Sequence, residues 1–251
     1  MAKIIAVVNQ KGGVGKTTSA VNIAAGVASL GKKVLLCDFD PQANATSGFG
    51  VDKHKTGCTV YDVLCGEVTA KDAVVQTPYA HVIPSSSALC GAAVELVGIE
   101  EREFILKKAL DTLRSDYDYI FIDCPPSLEL LTLNALCAAE SILVPVQCEY
   151  YALEGLADLM MTLRAVKARL NPELEIYGVV LTMYDGRLNF TSQVAEEVRR
   201  HFQSKVFATV IPRNVRLAEA PSHGLPVTVY DKYSRGAEAY RAMAEEIKKK
   251  L

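Results

Sequence analysis

The 251-residue sequence predicts an α/β fold, a doubly wound, mostly parallel sheet with helices on both faces. Two observations carry this. Short apolar runs that stop at Asp, Pro or Asn alternate with helical periodicities, as expected of parallel strands buried on both sides. The first of these runs leads directly into a glycine-rich loop and then a stretch of good helix formers, the strand–loop–helix entry of such folds. Half the residues are apolar, and no Pro/Ser/Gly-rich linker divides the chain, so a single domain over residues 1–251 is expected.

Taken in order, strands are expected at Ile4–Val8, Val34–Asp38, Val82–Pro84, Tyr119–Asp123, Ser141–Pro145, Ile176–Met183 and Ala208–Ile211. Helices are expected over 17–30, 101–115, 128–137, 153–170, 191–202 and 236–250. Gly31 stands where a left-handed residue would close the first helix. In sheets of this kind ligands sit beyond the C-terminal strand ends, and the motifs below fall there.

Several classes are excluded. No apolar run approaches the eighteen or so residues of a membrane span. The start, MAKIIAVVN, has one lysine and too short an apolar stretch for a secretion signal, so a cytoplasmic location is expected. Cysteines 37, 58, 65, 90, 124, 137 and 148 form no C-x-x-C pair, and histidines 54, 81, 201 and 223 are scattered; neither set has metal-ligand spacing. The net charge of −2 conceals an asymmetry, with +5 over residues 187–251 and −7 over the first 186. A basic C-terminal third on an acidic remainder suggests a local polyanion-binding face.

Asn9 to Thr18 reads NQKGGVGKTT. A strand that runs into a glycine-rich loop ending in Gly-Lys-Thr wraps backbone N–H groups around phosphate oxygens. Gly12, Gly13 and Gly15 would supply conformational freedom and close approach, with the Val14 amide among them. Lys16 would reach the β- and γ-phosphates, the Thr17 hydroxyl would ligate Mg²⁺, and the helix from Thr18 would point its positive end at the anion. Gln10 replaces the glycine of the common motif, and Lys11 follows, so the loop carries two lysines.

The second strand ends in Asp38-Phe39-Asp40-Pro41-Gln42. Asp38 would hold a magnesium-bound water and Asp40 would orient the attacking water. The alternative is structural, with Asp40-Pro41 starting a turn and Asp38 ending a strand. Tyr119 to Pro126, YIFIDCPP, ends an apolar strand in Asp123, the form of a Walker B carboxylate that binds Mg²⁺ through water.

On KGGVGKTT, DFDPQ and IDCPP the chain resembles the ParA/Soj family of chromosome- and plasmid-partitioning ATPases, its chromosomal branch above all, within the deviant Walker A class of P-loop NTPases. The likeness continues through Pro145–Gly155, Val210–Arg216 and Glu219–Ser222. It implies ATP and Mg²⁺ as cofactors, slow hydrolysis, and a role for Lys11, which in this class crosses a dimer interface to the partner's nucleotide. It also implies an ATP-dependent sandwich homodimer, binding to nonspecific double-stranded DNA at the nucleoid, and a ParB-type centromere-binding protein that stimulates hydrolysis. Pro212 would stack on adenine and Asn214 would hydrogen-bond its edge, although Pro and Asn also simply make turns. Arg187 and Arg216 match positions that contact DNA, and Lys232 and Arg235 are weaker candidates; the alternative for each is a solvated surface charge. Contacts of this kind go to phosphates and carry no sequence readout.

Two other readings have their own signatures. A MinD-like membrane-cycling ATPase needs an amphipathic C-terminal helix. The stripe Tyr240, Met243, Ala244, Ile247 and Leu251 lacks Phe and Trp and is interrupted by glutamates, so packing onto the sheet with no membrane contact is expected. An iron–sulfur electron donor needs paired interface cysteines, for which Cys90 and Cys124 are the pair to consider.

Overall fold

In the computed structural model, which describes residues 1–149 and 152–250, seven strands form one sheet. They are β1 (Lys3–Val7), β2 (Val34–Asp38), β3 (Val75–Gln76), β4 (His81–Ile83), β5 (Tyr119–Asp123), β6 (Ser141–Gln147) and β7 (Glu175–Thr182). Their order is β3-β4-β2-β5-β1-β6-β7, and every pairing is parallel except β3 with β4 at one edge. The helices are α1 (Lys16–Ser29), α2 (Asn44–Gly48), α3 (Val60–Leu64), α4 (Leu89–Glu95), α5 (Ile105–Asp111), α6 (Leu130–Ala138), α7 (Ala152–Arg169), α8 (Asn189–Phe202), α9 (Val215–Glu219), α10 (Val227–Tyr230) and α11 (Arg235–Lys249).

The central strands are buried on both faces, which is why they read as continuous apolar runs. Successive side chains point to opposite sides. Ile4 and Ala6 of β1 join Leu35, Ile120 and Ile122 in one core, while Ile5 and Val7 join Leu36, Tyr119 and Phe121 in the other. The second core is closed by α1 and α11, which pack so closely that a Cβ on Gly26 would stand 2.9 Å from that of Ala244. Tyr240, Met243, Ala244 and Ile247 are all buried there, and the Tyr240 hydroxyl meets that of Ser19 at 3.1 Å. The terminal stripe is therefore core, as its composition suggests; Leu251 lies outside the described residues, as do Tyr150 and Tyr151 of the family-like stretch. Gly31, with φ of 83°, closes α1.

One expected strand is absent. Ala208–Ile211 forms no ladder with β7; isolated bridges flank it, Val179 to Val206 on one side and Tyr184 to Pro212 on the other. Phe207 N donates to Val179 O and Ile211 N to Leu181 O, so four residues on this side span two on β7 and the segment bows outward. Glu246 of α11 accepts the Ala208 and Thr209 amides at 2.8 and 3.0 Å, which removes the donors a strand would need. The helix expected over 101–115 is also shorter, a 3₁₀ turn at Arg102–Phe104 followed by α5. The edge strand β3 and the short helices α2, α3, α4, α9 and α10 carry too few periodic residues to stand out in sequence.

Candidate nucleotide site and basic face

The Asn9–Thr17 loop leaves β1 and enters α1 beneath the C-terminal ends of β5, β6 and β7. Its shape is held from outside. The Asn9 amide donates to Pro145 O at 2.8 Å, and its oxygen accepts Lys11 N at 3.0 Å. From β7, the Thr182 hydroxyl donates to Val14 O at 2.8 Å. Gly13 and Gly15 have φ of 75° and 87°, so both need the left-handed freedom of glycine. Gly12 does not use that freedom, contrary to expectation. A Cβ there would meet nothing of this chain within 4 Å, which leaves open space where a phosphate would lie.

Lys16 is 7% exposed and its ammonium donates to Lys11 O at 3.0 Å, across the mouth of the loop. Burial holds its pKa below the ordinary lysine value, against the pull of Asp123 and Asp40. Lys11 is different. Its ammonium sits on the rim, paired with Glu149 of the same chain at 2.9 Å, with side chains 33% and 47% exposed. Gln147 donates to the other Glu149 oxygen.

The sheet register puts Asp38 of β2 directly beside Asp123 of β5. Both are fully buried. The Asp38 carboxylate is well served, since Oδ2 accepts Thr46 N at 2.7 Å and Thr46 Oγ1 at 2.6 Å, and Oδ1 accepts Asp40 N at 3.3 Å. Burial still pushes its pKa up to about 6. Asp123 has no hydrogen-bond partner on either oxygen. Burial, with the Asp38 charge next to it, pushes its pKa well above the carboxylate range, and the nearby Thr17 hydroxyl and Lys16 ammonium offset this only in part.

An orphaned buried carboxylate beside Thr17 and Lys16 is what a divalent cation with its water shell would satisfy. The residues thus fit Mg²⁺: Thr17 could ligate it directly, Asp123 could hold its water, and Asp38 stands by as a firmly held second carboxylate. Among the described residues no three His, Cys, Asp or Glu side chains converge on an all-protein metal site, and a phosphate-bound Mg²⁺ needs none. Asp40 is 8% exposed; Oδ1 accepts Gln42 N at 2.9 Å, and no described residue donates to Oδ2.

Beside the loop lies a pocket of about 420 Å³ between Gly15, Thr18, Thr182, Pro212, Asn214 and Tyr240, where the residues expected to hold the base meet. Asn214 Oδ1 caps α9 by accepting Arg216 N at 3.0 Å, so its amide N–H groups remain for a ligand edge. Met183, also in the wall, has φ of 49°, a left-handed backbone that an unbranched residue rarely adopts.

The four DNA candidates are not brought together. Arg187 and Arg235 line one groove with Arg213, which sequence reasoning missed because it reads as part of the adenine loop. Arg187 is bound by Asp185 through Nε at 2.8 Å and Nη2 at 2.6 Å. Arg216 is instead tied to Glu219 at 2.7 Å and Asp231 at 3.2 Å, and Lys232 lies 4.9 Å from the centre of the Tyr233 ring. Asn9, Thr46, Glu149 and Thr182 were also missed as site residues, since each acts on a partner far away in sequence or through a hydrogen bond that no local pattern encodes. Exposure does not favour the iron–sulfur reading, because Cys124 is fully buried near Lys16 and Asp123 while Cys90 is exposed.

A family model described as an AAA domain matches residues 2–176. The sporulation initiation inhibitor protein Soj of Bacillus subtilis is 55% identical over 249 residues, 98% of each chain. The chromosome-partitioning ATPase Soj of Thermus thermophilus is 53% identical over 243 residues, covering 97% of this chain and 94% of that one. Among solved structures, a crystal structure described as cobyrinic acid a,c-diamide synthase from Mycobacterium smegmatis, with bound ADP and magnesium, superimposes with a TM-score of 0.85. It is 38% identical and covers 98% of this chain and 93% of its own. With the phosphate loop, the paired strand-end aspartates and the doubly wound sheet in place, these likenesses show that the chain belongs to the ParA/Soj family of chromosome-partitioning ATPases.

Proposed function

We propose that the chain, acting as a single unit over residues 1–251, uses MgATP to switch between a free monomer and a DNA-bound sandwich dimer. The observation that carries this reading is the second lysine of the phosphate loop, Lys11, held on the open rim by a half-exposed ion pair with Glu149. Such a pair is worth about 0–1 kcal/mol, so a partner subunit's nucleotide phosphates compete with it readily.

The residues divide the work. The loop amides of Gly12, Gly13, Val14 and Gly15, with Thr18, cradle the phosphates, and Pro212 and Asn214 hold the base. Lys16 binds the β- and γ-oxygens from its buried position, where low dielectric strengthens the interaction. Thr17 would hold Mg²⁺ directly, and Asp123 and Asp38 would hold it through water; the ion would supply charge neutralisation for phosphoryl transfer. Asp40 accepts a hydrogen bond from the attacking water through its free oxygen and aims it in line. Lys11, supplied in trans, stabilises the charge that develops, in the manner of an arginine finger worth about 10³–10⁵ in rate. Catalysis is slow until that arrangement is completed.

DNA would bind without sequence preference through Arg187, Arg216, Lys232 and Arg235, and a ParB-type partner with a short basic segment would stimulate hydrolysis and reset the cycle. The protein would accordingly be cytoplasmic and nucleoid-associated. The MinD-like alternative is less well supported, since Tyr240, Met243, Ala244 and Ile247 of α11 are buried in the core shared with α1.

The test is DNA co-sedimentation with molecular mass measured in parallel, with ATP or ADP, for wild type, Lys16→Ala, Lys11→Ala and Asp40→Ala. The expected result is an ATP-bound Asp40→Ala dimer accumulating on DNA while both lysine variants stay monomeric and unbound. Equal DNA binding of wild type in ADP and ATP would overturn the switch.

A further inference from the structure

The adenine pocket shares a wall with the basic groove. Pro212 and Arg213 line both, the pocket of about 420 Å³ on one side and a groove of about 820 Å³ on the other. The wall is tied to the end of β7. Ile211 N donates to Leu181 O at 2.8 Å, Tyr184 N donates to Ile211 O at 2.9 Å, and Tyr184 bridges to Pro212. Asp185 and Arg187 follow at once, so the segment 181–187 and the segment 211–213 form one hydrogen-bonded unit with the strained Met183 between pocket and groove.

Three guanidinium groups face the groove, from Arg187, Arg213 and Arg235, against the carboxylates of Asp185 and Glu238. Asp185 is heavily engaged. It accepts Arg187 N at 3.1 Å, Nε at 2.8 Å and Nη2 at 2.6 Å. Its pKa is held down to about 2, chiefly by those hydrogen bonds and with a contribution from Arg213. A carboxylate bidentate to a guanidinium presents the geometry that a phosphate diester would take in its place. Arg187 is 89% exposed, so the exchange needs no unfolding.

We infer that Arg213 is a further phosphate-contacting residue of this groove, beside Arg187 and Arg235, and that Asp185 is the groove's internal competitor, holding Arg187 by hydrogen bonds and Arg213 by charge until the backbone of duplex DNA displaces it. The inference rests on the DNA-binding reading above and adds to it a residue and a brake. It also gives the nucleotide a short route to the DNA face. A base stacked on Pro212 fixes the backbone from which Arg213 projects, so an ordered wall orients one of the three cations. Loss of Asp185's charge raises the groove from one net positive charge to two, without altering the loop that binds phosphate.

The experiment is fluorescence anisotropy with a labelled random-sequence duplex, titrated at saturating ATP over a range of salt, with nucleotide affinity measured alongside. Each phosphate contact contributes about 0.9 to the slope of log K against log salt. Arg213→Gln should lower that slope by about one and Arg213→Lys should restore it. Asp185→Asn should tighten DNA binding by about fivefold at low salt, a gain that fades as salt screens the groove. Wild-type slope in Arg213→Gln, or weakened DNA binding that only tracks a loss of nucleotide affinity measured alongside, would overturn the role of Arg213. No gain in Asp185→Asn would overturn the competitor. Failure of wild type to bind the duplex in ATP would overturn the underlying reading instead, and is distinguished by needing no variant.

Discussion

Replacing Asp123 by asparagine keeps the shape of a fully buried side chain and removes a charge that has no hydrogen-bond partner. In the metal-free chain that charge is a liability. An unsatisfied buried polar group costs about 1–3 kcal/mol, more when charged, while an unpaired neutral amide sits at the lower end of that range. Against this, Lys16 loses the negative charge that most favours its ammonium, and the nearby Thr17 hydroxyl loses the carboxylate that it favours. The net expectation is a gain of about 1–2 kcal/mol, which for a chain of this size raises Tm by about 2–8 °C. The assay is thermal and urea unfolding at pH 7.5 in EDTA without nucleotide. The same variant should lose function in the opposite sense. A carboxylate that orients a metal-bound water is worth about 10–100-fold in metal affinity or activity, so the dependence of hydrolysis on Mg²⁺ should weaken by that factor. The stabilisation that wild type gains from MgATP, about 2.7 kcal/mol at a hundredfold excess over Kd, should shrink accordingly. If Asp123→Asn is instead less stable than wild type by more than about 1 kcal/mol in EDTA, the carboxylate is a structural partner of the fold and the argument from its isolation is wrong.

Three further outcomes follow from the same geometry. Thr46→Val removes the hydroxyl that donates to Asp38 at 2.6 Å and accepts Ser85 N at 2.9 Å; the fold should lose about 2–4 kcal/mol in urea titration and Thr46→Ser should recover most of it. Gly178→Ala places a Cβ 2.2 Å from the Phe207 ring, so stability should fall by an overpacking cost of about 1–3 kcal/mol, read as a lowered Tm, and Phe207→Leu in the same chain should relieve it. Asp38 titrates near 6 in the folded chain against 3.8 for an unperturbed carboxyl, so between about pH 4 and 6 the folded state binds more protons than the unfolded one. Stability of the metal-free chain should therefore fall as pH rises through that window, by up to about 3 kcal/mol for this group; the difference between wild type and Asp38→Asn isolates it, and a difference flat across the window would refute the assignment.

The phosphate loop was legible in the sequence because its chemistry is written in ten consecutive residues. Glycines at 13 and 15 are needed for left-handed backbone, and the lysine and threonine follow at once. The central strands were legible for a related reason, since burial on both faces turns each into an apolar run that ends at the site. The C-terminal stripe was likewise read as core from its composition alone. The expected strand at 208–211 shows where such reasoning stops. Its residues suit a strand, yet Glu246, on a helix 37 residues away, takes its amides.

Sequence alone thus determined the elements whose signals lie within one turn or one strand: the loop, the aspartates at strand ends, the Pro-Arg-Asn segment, and the family. Tertiary structure decided which of these meet. The strand order sets β2 against β5, and only that register places Asp38 beside Asp123 and leaves one served by Thr46 and the other bare. It pairs Lys11 with Glu149 across 138 positions, and it makes Arg213 part of a wall shared by the pocket at Asn214 and the groove at Arg187. The physical reason is that backbone preference is local and additive along the chain, whereas charge pairing, desolvation and shared walls depend on distances that exist only after parallel crossovers have folded the strands together.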